Sequence, residues 1–113
     1  MSSSAVEQPA SLPILSLAVC LYSEMTALDF QGPMELLGFL APNIVLAEES
    51  EFKFGVPKYG IQTTYLSASG QVKPVTGPIM MTSTTYDDAL AENQHFDMLL
   101  VPGGKYTYTY EIE

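Results

Sequence analysis

Short apolar runs alternate along this chain with polar stretches marked by glycine and proline. After Pro13 comes Ile14-Leu15-Ser16-Leu17-Ala18-Val19-Cys20-Leu21-Tyr22. This run is apolar on both sides of an extended backbone and partly β-branched, so it predicts a buried strand of a parallel sheet. Ser23–Leu28 reads as a loop. Asp29-Phe30-Gln31-Gly32-Pro33 then opens a helix, with Pro33 in the first turn, where its missing N–H costs nothing. Met34, Leu36, Leu37 and Leu40 follow at helical spacing, and Ala41-Pro42 ends the element. Strand, tight loop and helix make the start of a βα unit.

Further on, Ile61–Ser67 is rich in β-formers and predicts a second strand. The stretch between, Asn43–Lys58, has no clear period. Its acidic run Glu48-Glu49-Ser50-Glu51 suits a solvated loop or a helix end, and Phe52-Lys53-Phe54-Gly55-Val56 suits a short strand or a loop. Gly70 marks a turn. Val72–Val75 and Ile79–Thr82 flank Gly77-Pro78 as a short hairpin or excursion. Thr84 or Thr85 is placed to cap a helix through Asp87-Asp88-Ala89-Leu90-Ala91, whose acids favour the helix dipole. Phe96–Val101 predicts a third buried strand, which must stop at Pro102-Gly103-Gly104. The tail Lys105–Glu113 alternates Tyr and Ile with Lys, Thr and Glu, as an edge strand or an unstructured end does. Met1–Ser11 is polar and Ser-rich and reads as a disordered leader.

Composition narrows the class. The 113 residues suffice for one small domain, 12–104, with a thin core. A hydrophobic share of 47% against 15% charged favours a folded chain over a disordered one. Thirteen acidic residues face four basic ones, and the formal charge of −9 repels polyanions, so no nucleic-acid partner is expected. The apolar run Leu12–Tyr22 is too short to span a bilayer. The leader has no Lys or Arg and contains Glu7, unlike a secretory signal. The expectation is a cytoplasmic chain with no membrane association. A lone cysteine, Cys20, permits no internal disulfide and suits a reducing compartment. Neither a Walker loop nor a dinucleotide glycine pattern occurs, and no cofactor is expected.

Three stretches together resemble the ThiJ/PfpI superfamily, of class I glutamine amidotransferase-like fold, in its isonitrile hydratase-like branch. They are Leu17–Tyr22 followed by Leu28-Asp29-Phe30-Gln31-Gly32-Pro33-Met34-Glu35-Leu36-Leu37; Val72-Lys73-Pro74-Val75 with Gly77 and Ser83–Ala89; and Phe96-Asp97-Met98-Leu99-Leu100-Val101-Pro102-Gly103-Gly104. The match runs from about Leu15 to Gly104 and covers the N-terminal half of such a domain. It implies an α/β, flavodoxin-like parallel sheet with flanking helices, and ligands near the carboxyl ends of the strands. It also implies a cysteine nucleophile on a strand-to-helix turn beyond the glycine pair, followed by a histidine. Neither is encoded in these residues. The domain is therefore expected to be truncated after the strand ending at Pro102-Gly103-Gly104, with an atypical tail at 105–113.

Candidate chemistry is sparse. Asp29 stands where the branch places a carboxylate facing the nucleophile, for proton management or for holding a water; read without the resemblance, it caps the helix. Gly103 and Gly104 let the backbone approach a ligand and point N–H groups at an anion, as in the family's oxyanion pocket, or they form a plain turn. Glu35 lies in the first helical turn, where some distant relatives carry a carboxylate beside the cysteine. Cys20 is expected to be a buried structural thiol, and His95, in the polar run Glu92–His95, a surface residue. One His and one Cys so placed make neither a dyad nor a metal site.

The resemblance implies that full-length relatives act on small molecules, through attack of a thiolate on an isonitrile carbon and hydration to an N-substituted formamide. This chain is expected to be catalytically inactive as it stands. A non-catalytic binding or regulatory module, or an unstable fragment, remains the alternative. A bare strand edge and apolar face favour a homodimer or aggregation.

Overall fold

A computed structural model describes residues 12–47 and 57–104. The leader 1–11, the segment 48–56 with the Phe52–Val56 question, and the tail 105–113 lie outside the described residues. The first strand, β1 (Ile14–Cys20), is followed by α1 (Leu28–Leu37), a 3-10 turn (Gly38–Leu40) and α2 (Pro42–Ala47). β2 (Gly60–Ser67) leads to a small antiparallel pair, β3 (Gln71–Val72) with β4 (Met80–Met81). Then come β5 (Thr84–Thr85), α3 (Tyr86–Ala91) and β6 (Met98–Leu100).

The main sheet is four-stranded and wholly parallel, in the order β5-β2-β1-β6. This α/β arrangement with flanking helices is consistent with the expected flavodoxin-like sheet. β1 is central. Its register against β2 runs from Ile14↔Gly60 to Cys20↔Leu66, and against β6 from Leu17↔Met98 to Val19↔Leu100. Alternation along β1 divides the core. Leu17, Val19 and Leu21 pack with Phe30 and Met34 of α1 and with Ile61. Ala18 packs with Leu66 and Ala89 on the other side. The Phe30 ring meets Tyr65 edge-on at 6.2 Å, and burying a ring of that size contributes about 2–3 kcal/mol.

Several elements depart from the sequence reading. α1 starts at Leu28, so Pro33 is its sixth residue and lies inside the helix, not in the first turn. Pro33 therefore supplies no N–H to the carbonyl of Asp29. Pro42 ends one element as expected and also begins another, α2, whose first turn tolerates proline. The third strand is not buried as expected. Leu99 is 68% exposed and Val101 61%, because among the described residues β6 is the edge of the sheet and no helix covers its outer face. Gly70 turns with φ +94°, and its N–H donates to the Ser67 hydroxyl at 2.9 Å. The cap of α3 is Thr85, whose Oγ1 accepts from Asp88 N–H at 3.1 Å. No helix among the described residues is long and apolar enough to cross a membrane.

Candidate functional site

In a parallel sheet of this order, chain direction reverses its lateral step at β1. The first crossover leads to β2 on one side, and the chain later returns to β6 on the other. The loops leaving β1 and β6 therefore diverge above the carboxyl ends of adjacent strands, where α/β sheets hold ligands. Asp29, Gly103 and Gly104 meet there.

The contact is direct. Gly103 N–H donates to Asp29 Oδ2 at 3.1 Å, and Thr26 N–H donates to the Gly103 carbonyl at 2.7 Å. Gly104 forms an antiparallel bridge with Met25. A Cβ on Gly104 would lie 2.7 Å from Met25 Cα and 2.8 Å from both the Glu24 carbonyl and the Tyr22 hydroxyl. Only glycine admits so close a backbone approach. A Cβ on Gly103 would meet only the Asp29 carboxylate oxygen, at 2.9 Å.

Other elements hold this loop in place. The Tyr22 hydroxyl donates to the Pro102 carbonyl at 2.6 Å. The β3–β4 excursion grips the β1–α1 loop from the far side: Glu24 N–H donates to the Lys73 carbonyl at 2.8 Å, and Val75 N–H donates to the Met25 carbonyl at 2.9 Å. Met25 and Pro74 are fully buried beneath these bonds. Glu24 takes φ 64°, a left-handed turn uncommon outside glycine.

The helix-cap reading of Asp29 is overturned. Ala27 is the N-cap of α1 and makes no side-chain cap bond, while Asp29 sits in the first turn and accepts from Gly103. The glycine turn is tied on both sides by these bonds. Its N–H group at Gly103 points at a carboxylate of this same chain, so the arrangement can position an anion-binding backbone group and a carboxylate within one hydrogen bond of each other. Tyr22 and Thr26 complete the cluster and were not singled out in the sequence. Tyr22 ends an apolar run, and nothing local marks a partner 80 residues away.

The remaining candidates lie elsewhere. Glu35 is exposed on α1 and accepts from Gln31 Nε2 at 3.1 Å. His95 is exposed at the opposite, amino end of the sheet, where its carbonyl accepts from the Ser16 hydroxyl at 3.3 Å. Cys20 ends β1 half-buried on the face away from α1, and burial pushes its thiol up from the ordinary value. The thiol is thereby held protonated at neutral pH, the opposite of an activated nucleophile. No group of three or more potential metal ligands occurs among the described residues. Comparison with protein-family models, with curated proteins and with solved structures finds no match to this chain.

Proposed function

We propose that this chain is the N-terminal part of a ThiJ/PfpI-like domain of the isonitrile hydratase-like branch, with a flavodoxin-like sheet. In this reading these 113 residues supply a carboxylate and a glycine turn but no activated thiolate. The observation that carries the reading is the Asp29 Oδ2 to Gly103 N–H contact at 3.1 Å. It joins two of the stretches on which the resemblance rests, at the sheet position where such folds bind ligands. Asp29 is the carboxylate that would manage a proton or orient a water. Gly103 and Gly104 form the turn that would face a developing negative charge, and because the Gly103 N–H already donates to Asp29 Oδ2, an incoming anion would have to displace that carboxylate. A thiolate is still needed to form the covalent bond with an isonitrile carbon. Cys20, the only cysteine, has its pKa raised by burial and belongs to the other face of the sheet.

The test is incubation of the purified chain with a simple alkyl isonitrile, followed by chromatographic detection of the N-substituted formamide. The expected result is no product above the buffer rate. Turnover that disappears in Cys20→Ala or Asp29→Asn overturns the proposal. A bound ligand without turnover favours the binding-module alternative.

A further inference from the structure

On its β1 side β2 is paired from Gly60 to Leu66. Its even-numbered residues make those bonds: Gly60 N–H donates to the Pro13 carbonyl at 2.8 Å, and the Leu66 carbonyl accepts from Leu21 N–H at 2.9 Å. The odd-numbered residues turn their backbone groups outward. Tyr65 spends its own on Ser83, accepting from Ser83 N–H at 2.9 Å and donating to the Ser83 hydroxyl at 3.3 Å. Strand β5 pairs only with Leu66 and Ser67. The outward N–H and C=O groups of Ile61 and Thr63 therefore have no partner among the described residues. A groove of about 510 Å³ borders this same stretch. Met34 of α1 and Pro42 and Asn43 of α2 wall it, and Ile61, Thr63 and Tyr65 form its strand side. None of the residues lining it is charged. The Tyr65 hydroxyl also has no partner among the described residues. Later strands of the proposed domain have the open edge of β6 to join, whereas β2 already has β5 as its outer neighbour.

We propose that this groove takes an extended, uncharged peptide segment, which adds to β2 as a further strand. Two donors and two acceptors repeating at every second residue are what an extended backbone satisfies. A helix cannot, because it bonds its backbone internally. Side chains of the added strand that point to the α1 face enter the groove beside Met34 and Pro42. Apolar or hydroxyl-bearing side chains suit it, since an ionised one would be desolvated there with no counter-charge. A second copy of this chain is disfavoured by the charge of −9 on each. The edge is separate from the Asp29 cluster and independent of the family reading.

The probe is a capped, fluorescein-labelled peptide of about seven residues, the length of a short strand, with Val and Thr alternating. Saturable binding by fluorescence anisotropy is expected. In the free chain the Thr63 amide should exchange faster than those of Gln62 and Thr64, which face β1, and the peptide should slow it about tenfold or more. Peptides N-methylated at their Val residues and at their Thr residues present opposite backbone edges. One of the two should lose affinity about tenfold or more, and the other should keep it. A peptide with Lys in place of its central Val should bind more weakly, despite the chain's charge of −9. Absence of saturable binding overturns the proposal. So do a Thr63 amide already protected in the free chain, equal affinities for the two methylated peptides, undiminished affinity of the Lys peptide, or self-association that excludes the peptide.

Discussion

The two faces of one sheet differ sharply. Under α1, Leu17, Val19 and Leu21 of the β1 segment are buried beside Phe30 and Met34. On the reverse face, Ala18 and Leu66 are closed over by Ala89, but Leu99 of β6 and Val101 just after it stand open. The same strands serve both faces, so strand propensity does not explain the difference. Covering does: a ten-residue helix shields one side and a six-residue helix the other. Stability should therefore be concentrated on the α1 face, and the reverse face should tolerate change.

The largest loss should follow Phe30→Ala, about 3–5 kcal/mol, because it opens a void in the closed face; urea unfolding measures it. Gly104→Ala should cost about 1–3 kcal/mol, since backbone atoms rather than a movable side chain block the new methyl group. Gly103→Ala should cost less, because the Asp29 carboxylate can swing away. Asp29→Ala should remove about 1 kcal/mol, and amide exchange at Gly103 should quicken with it. Leu99→Ser, on the open face, should change stability by less than about 0.5 kcal/mol. A loss there as large as that for Phe30→Ala would mean that the reverse face is covered after all.

Alkaline titration touches both faces: burial pushes up the Tyr65 phenol, which packs against Phe30, and the Tyr86 phenol on the reverse face. Tyr86 is pushed up to about 12, first by burial and second by the neighbouring Cys20. Its hydroxyl donates to the Leu21 carbonyl at 2.7 Å. Folding thus favours the neutral phenol. The stability this contributes is present below its ordinary value of 10.0 and is lost as pH rises from there towards 12. Urea midpoints measured across that range should fall, and Tyr86→Phe should flatten the decline. A slope unchanged by Tyr86→Phe would assign the titration to another group.

Much of this architecture was legible in residue order. β1 and β2 are long, apolar and β-rich, and Thr85 precedes two acids in the pattern of a helix start, so local chemistry agreed with the fold. Boundaries were misread where a residue has two uses. Pro33 reads as a first-turn proline, yet α1 holds it in its interior because Phe30 and Met34 bury against β1 and β2 and outweigh its penalty. Pro42 reads as a stop and is also a start. Phe96–Val101 reads as a buried strand because an apolar run does not record which side of it will be covered. Asp29, Gly103 and Gly104 were all singled out, but their bond was not. A separation of 74 positions between donor and acceptor leaves no local trace of the pairing, and neither does the Tyr22 hydroxyl on Pro102.

That long separation also sets a timetable for synthesis. β1 leaves the ribosome ahead of both its neighbouring strands, and β6 and the glycine turn above it emerge last among the described residues. Until then the central strand has β2 for company on one side and water on the other. The loop carrying Asp29 has nothing yet to close against. A chaperone that holds exposed strand edges would find the open edge of β1 in the nascent chain before residues 98–104 have emerged.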